Sequence, residues 1–391
     1  MKREPVEGIQ PEIFRWARQT IGLSIDDVAR KLNRPSEEIE AWESGQGAPS
    51  YTQLEKLAYQ VYKRPLAVFF LPKPPDEITP DREFRTLPEF DLESLSPDTY
   101  IQIRRAHAYQ IALDELFNGR NPVEKPIWES ISLSPNKPIN KQAINIREFL
   151  GIRMDLQMSW SSDDVALKQW RQAIEESGVF VFKNSFKQKD ISGFCLRDKN
   201  LPIIYVNNGT TKTRQIFSLL HELAHLLMNI NGLSKFDTRY IEKLPSSEKK
   251  IEQFCNTIAA ETLIPSDDFV LQTSQLPHNV ESVSDERFSE IANRYSVSRE
   301  AILRRFLDQG RASDHFCKQK AKFWENQKKT GSGGDWYASQ NVYLSHRFST
   351  EVFSQYYRSQ ISMEQASDLL GIKAKNFAGL EHKVLQGAAI A

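Results

Sequence analysis

The 391-residue sequence predicts an α+β protein: an all-α N-terminal domain, a second domain with a small sheet and buried helices, and a mainly helical C-terminal extension. Three observations carry this expectation. Residues 11–71 repeat short helical patterns separated by turn residues. Three apolar runs of strand length lie between residues 178 and 206. The stretch from Thr213 to Met228 is apolar on nearly every side, the pattern of a helix packed inside a domain. The boundaries that follow are 8–71 for the first domain, 72–97 for a linker, 98–308 for the second domain with its connecting helices, and 309–391 for the extension.

Composition narrows the class. Hydrophobic residues make up 40% of the chain and charged residues 26%, which is ordinary for a globular protein. The formal net charge is zero, so no global attraction to nucleic acid or an anionic membrane follows, and only a local basic face could supply one. Cys195, Cys255 and Cys317 are widely separated and odd in number. Met1-Lys-Arg-Glu-Pro5 lacks the apolar run of a signal peptide, and no stretch approaches the length of a membrane span. The expectation is a reduced, cytoplasmic protein with no membrane partner.

In the first domain, apolar residues recur at helical spacing through Ile13, Trp16 and Ala17, then Ile25, Val28, Ala29 and Leu32, then Ile39 and Trp42, then Leu54, Leu57 and Ala58. Ser24 and Ser36 are the expected caps of the second and third helices. Asn33-Arg34-Pro35 and Gly45-Gln-Gly-Ala-Pro49 are the expected breaks, and Ser50 or Thr52 starts the fourth helix. Two short helices joined by a tight turn suggest a helix-turn-helix. Gly22-Leu-Ser-Ile-Asp-Asp-Val-Ala29, followed by Ile39-Glu-Ala-Trp42-Glu43-Ser-Gly45 and Pro49, resembles the Xre family of lambda-repressor-like DNA-binding domains. The resemblance implies that the third helix enters a groove, with Arg34, Ser36, Glu37 and Glu40 as DNA or partner contacts. The sequence departs from that role. Glu37, Glu38, Glu40 and Glu43 make the third helix acidic, and residues 1–71 hold ten basic and ten acidic side chains. A groove-facing helix gains affinity by neutralising phosphates. Two uses therefore stand side by side: DNA binding, and docking of a protein or a second copy of the chain.

Six prolines between Pro72 and Pro97 predict an extended linker. Residues 98–118 read as a connecting helix through Ile101, Ile103, Ala108, Ile111, Leu113 and Leu116, with Arg104 and Arg105 on a solvated edge. Residues 140–150 and 163–176 predict two further helices, the second packed through Trp170 and Ile174. The strand-like runs are Gly178–Phe182, Ile191–Leu196 and Leu201–Val206. Residues 203–206 are the expected edge, where an extended peptide could add by backbone pairing.

His221 and His225 occupy the apolar helix that follows. At about 100° per residue a spacing of four returns to nearly the same face, so both imidazoles can reach one ion. Glu222 projects to the side, where it can take a proton from an activated water; this is the His-Glu-x-x-His arrangement of zinc peptidases. A second stripe at helical spacing, Ile251, Phe254, Cys255, Ile258, Ala259, Thr262 and Leu263, carries Glu252 at its rim as third ligand. Asn256, four residues on, can support a ligand histidine from behind. Glu261 points roughly opposite and serves another purpose. Cys255 and Cys317 are expected to pack in the core. His107, His278, His315, His346 and His382 are expected at the surface.

Thr213-Arg-Gln-Ile-Phe-Ser-Leu-Leu-His-Glu-Leu-Ala-His225 and Glu252-Gln-Phe-Cys-Asn-Thr-Ile-Ala-Ala-Glu-Thr-Leu-Ile-Pro265 together resemble the ImmA/IrrE family of metallo-endopeptidases, over about residues 145–308. The resemblance implies a zincin-like peptidase fold, with zinc, or manganese in some members, held by His221, His225 and Glu252 and with Glu222 as general base. It also implies a protein substrate, an Xre-type repressor being the candidate, in stress-response or mobile-element control. Arg214, Tyr205 and Tyr240 are the candidates for stabilising the oxyanion. The rival reading is a DNA-binding regulator or antitoxin-like protein whose metal site is structural or inactive. Past a break at Gly331-Ser-Gly-Gly334, residues 348–385 predict further helix, and Ile361 to Ile372 has the cadence of a second helix-turn-helix that serves packing or partner contact.

Overall fold

The computed structural model describes residues 4–77, 84, 94–235, 241–242, 244–326 and 343–389. Most of the Pro-rich linker, Tyr240 and the Gly331–Gly334 break lie outside the described residues. The chain forms two compact units, one of residues 1–107 with 186–188 and one of 108–185 with 189–391. The division falls within the helix Pro97–Phe117. No helix among the described residues is long and apolar enough to cross a membrane.

The first unit opens with four short helices, α1 (Pro11–Gln19), α2 (Ile25–Leu32), α3 (Ser36–Ser44) and α4 (Tyr51–Glu55); α4 runs on into a wider turn over Lys56–Tyr62. Ser24 caps α2 reciprocally: its hydroxyl accepts from Asp27 N–H and its own N–H donates to the Asp27 carboxylate, each at 3.1 Å. Asn33 and Gly45, both at positive φ, end α2 and α3. Ser36 corrects the expectation. Pro35 holds the capping position of α3, and the Ser36 hydroxyl donates instead to Asp26, at 2.6 Å.

Glu43 is a second correction. It is buried, and its carboxylate accepts from Arg18 at 2.7 and 2.9 Å. This internal ion pair ties α1 to α3, so Glu43 presents no charge to a partner. Glu38 accepts from Gln53 at 3.1 Å. The acid that α3 leaves exposed is Glu37 and Glu40, with Arg34 exposed just ahead of the helix. Arg104 also differs from the solvated edge expected: it donates to Lys63 O at 2.6 Å, and burial lowers its pKa to about 10.

In the second unit a four-stranded sheet, β1 (Phe180–Asn184), β2 (Ile191–Leu196), β3 (Ile203–Asn207) and β4 (Gly232–Lys235), has the order β1-β3-β2-β4. β1 and β3 run parallel, and the other neighbours are antiparallel. The expected edge is thus an interior strand, with both sides of β3 paired, and the edges are β1 and β4. Period-two alternation separates the faces. Val181, Cys195, Ile204 and Val206 point into the main core. Phe194 and Tyr205 stack on the opposite face with ring centroids 5.1 Å apart, and Phe182 there meets Tyr109 and Phe348.

Across the core face lies α5 (Lys212–Leu227), flanked by α6 (Asp163–Glu176) and α7 (Ser246–Leu263). Ile216, Leu219, Leu220, Leu223 and Leu227 of α5 pack with Leu167, Trp170 and Ile174 of α6 and with Phe254, Cys255 and Ile258 of α7. Further on, α8 (His346–Tyr357) closes the back of the sheet. Phe348 seats on Phe182, His346 N–H donates to the buried Glu175 carboxylate, and Arg171 donates to Val181 O and Leu344 O.

Candidate metal centre

Local chemistry fixes where α5 begins and ends. The Thr211 hydroxyl accepts from Arg214 N–H to start it. Met228 closes the last turn, and Asn229, at φ 61°, turns the chain out of the helix. The turn is tied to the end of β2: Arg197 N–H donates to Asn231 at 2.7 Å, and the Arg197 side chain donates to Asn229 O at 3.0 Å. The chain then re-enters the sheet as β4, alongside the helix it has just left.

His221 and His225, on α5, converge with Glu252 from α7. The two Nε2 atoms are 3.0 Å apart, and the Glu252 oxygens lie 3.3 Å from His221 Nε2 and 3.2 Å from His225 Nε2. Ligand atoms at 2.0–2.1 Å from a tetrahedral zinc are separated by about 3.3 Å, close to the separation of the two imidazole nitrogens and of each nitrogen from its nearer Glu252 oxygen, Oε2 for His221 and Oε1 for His225. All three side chains are buried, and they form the one His/Cys/Asp/Glu group found among the described residues that could hold an ion. Burial alone would raise the Glu252 pKa, but the facing imidazoles of His225 and His221 outweigh it and hold the carboxyl well below its usual range. Asn256 lies one turn beyond Glu252, with its Oδ1 3.0 Å from His221 Nδ1. With the amide oxygen as acceptor, His221 carries its proton on Nδ1 and turns the Nε2 lone pair toward the cluster.

Glu222 is fully buried over a floor of small residues. In the β2–β4 pairing Gly193 stands opposite Ser234, and Cys195 opposite Gly232. One carboxylate oxygen, Oε1, accepts from the Ser234 hydroxyl. The other, Oε2, is buried with no hydrogen-bond partner among the described residues. The floor has no room for larger side chains. A Cβ on Gly232 would sit 2.6 Å from His225 Cδ2 and 3.0 Å from Glu222 Oε2, and one on Gly193 would sit 2.8 Å from Tyr205 O. The Cys195 and Cys255 thiols, raised by burial, remain protonated at neutral pH.

The residues fit a divalent ion. One donor atom from each of the three residues lies within 4.8 Å of the others, and a buried carboxylate oxygen beside them has no hydrogen-bond partner among the described residues. A small cleft opens onto the group, lined in part by Arg214, Phe217, Asn256, Ser192, Ser234 and Lys235. The oxyanion candidates separate here. Arg214 lines the cleft, and its pKa, lowered to about 10 by burial, leaves it charged at neutral pH. Tyr205 lies on the far face of the sheet, stacked on Phe194. Glu261, on α7 beyond Ile258, binds Ser266 N–H at 2.8 Å and pairs with Arg305, away from the cluster. Arg34, Glu37 and Glu40 are exposed on the first unit, and Ser36 is occupied by Asp26.

Sequence reasoning missed β4 and with it Ser234, Gly232 and Lys235, as well as Gly193 and Ser192 of β2. Gly-Leu-Ser-Lys has no strand composition, and the one available signal was a glycine five residues after the helix ends.

Residues 174–307 match the family model for the IrrE N-terminal-like domain of peptidase family M78. The match takes in His221, Glu222, His225, Glu252 and Asn256, and supports a metallopeptidase-like function of the IrrE/ImmA kind. No curated protein matches the chain.

Proposed function

We propose that the chain is a regulatory zinc metallo-endopeptidase, with manganese as the alternative ion. The observation that carries this reading is the convergence of two imidazoles and a carboxylate beside a second buried carboxylate, one oxygen of which has no hydrogen-bond partner among the described residues. Structural zinc sites are closed by four protein ligands, whereas catalytic sites keep a position open. A group of three beside a cleft favours catalysis over the silent regulator.

His221, His225 and Glu252 would hold the ion, and Asn256 would orient His221. When bound, the ion supplies a Lewis acid that polarises the scissile carbonyl and acidifies a water. Glu222 would take a proton from the attacking water at Oε2 and pass it to the departing amine. Arg214 is the cleft's candidate for the developing oxyanion. A peptide would lie along β4, the sheet edge that shares the cleft, so that main-chain pairing holds it across the site without need of either terminus. That supports internal cleavage.

The proposed substrate is a regulatory protein, an Xre-type repressor being the candidate, in a stress-response or mobile-element circuit. The N-terminal unit would serve as the docking module. With Glu37 and Glu40 exposed on α3, a protein partner is favoured over DNA. The deciding test is the metal content of protein purified without added metal or chelator, beside a His221→Ala, His225→Ala variant. About one zinc or manganese per chain, lost in the variant, is expected. Near-zero metal in both after reconstitution would overturn the reading.

A further inference from the structure

We infer that Ser234 is a positioning residue for Glu222, and that the edge strand β4, rather than the metal-bearing helix, sets the direction of the general base. The inference rests on the reading of Glu222 given above. The rotation of a terminal carboxylate is soft and roughly two-fold, so the helix fixes where the Glu222 side chain starts but not how its oxygens face. One contact of the floor removes that freedom, and a glycine beside it leaves room for the result. The Ser234 hydroxyl donates to Oε1. Gly232 allows Oε2 to turn toward His225, as a Cβ there would meet both.

Ser234 is itself held. Its carbonyl accepts from the Ser192 hydroxyl at 3.2 Å, where the β2–β4 register shifts between Ile191 and Gly193. Its side chain is buried, and the residue lines the cleft. A hydroxyl anchored in the sheet thus takes one oxygen of the base and leaves the other toward the ligand cluster. Alanine in its place would let the carboxylate rotate without removing any ligand.

The test compares the parent, Ser234→Ala, Ser234→Thr and Glu222→Gln, each loaded with cobalt(II) in place of the native ion. Cobalt stoichiometry, the visible d–d spectrum and the melting temperature are read for each. The spectrum reports the surroundings of the ion without requiring a substrate. The expected result is equal cobalt content throughout, a band shift in Ser234→Ala toward the Glu222→Gln spectrum, and return to the parent spectrum in Ser234→Thr. A serine that only packs would lower the melting temperature without moving the bands. If Ser234→Ala superimposes on the parent while Glu222→Gln differs, this inference fails and the assignment of Glu222 stands. If Glu222→Gln also superimposes on the parent, the assignment fails and takes the inference with it.

Discussion

Asn256 Oδ1 stands 3.0 Å from His221 Nδ1, so α7, which carries Glu252, also orients a histidine of α5. Removing such support weakens metal binding by about 10- to 100-fold. Asn256→Ala should do so, with a smaller effect for Asn256→Asp, which keeps the acceptor. Competition against a chromophoric chelator measures it, and unchanged affinity in Asn256→Ala would show the contact to be incidental.

Glu222→Gln keeps the shape of the side chain and removes its basicity. General-base loss costs about 10²- to 10⁴-fold. Cleavage of a peptide library, followed by mass spectrometry of new termini, should fall by that factor at unchanged metal content. A variant that cleaves as fast as the parent would place the base elsewhere.

Gly232→Ala forces a methyl to within 2.6 Å of the His225 ring. Overpacking of this kind costs about 1–3 kcal/mol. Both the melting temperature and the metal affinity should drop if His225 is a ligand, because the ring displaced is its own. Loss of stability alone, with affinity intact, would mean that the strand rather than the imidazole gives way.

Glu43→Ala strands Arg18, which is 14% exposed, without its carboxylate. Removing one partner of a buried pair costs about 3–5 kcal/mol. Denaturant unfolding of the first unit should shift accordingly, whereas Glu37→Ala and Glu40→Ala, both at exposed sites, should leave it nearly unchanged. A silent Glu43→Ala would refute the structural role of this acid.

The exposed acid on α3 also predicts the behaviour of the first unit toward nucleic acid. Gel-shift titration on promoter fragments at several salt concentrations should show no sequence-selective complex. A selective complex whose affinity falls steeply with salt would instead assign the unit to DNA.

Helices with strong amphipathic or wholly apolar patterns were legible in the sequence nearly to the residue, as α5 and α7 show. The ligand spacing was legible too, because helical periodicity alone brings positions four apart onto one face. Strand pairing was not. The runs that became β1, β2 and β3 announced themselves by composition, but their order depends on long-range contacts, and β3 proved interior because β1 pairs along its outer side in parallel. Glu43 misled for a related reason: a charge on an amphipathic helix reads as solvated unless its partner, here 25 positions away, is known. The floor beneath Glu222 was least visible, since small residues act there by leaving space.

The three candidate ligands come from two helices, and His225 and Glu252 are 27 positions apart in the chain. A bound ion would act as a reversible cross-link that closes this stretch into a ring, removing entropy from the unfolded chain as a covalent staple would. Its contribution grows with the ratio of free ion to dissociation constant, about 2.7 kcal/mol at a hundredfold excess. Lifetime against heat and proteolysis would then follow the supply of the ion, and starvation for it would remove the protein as well as silence it.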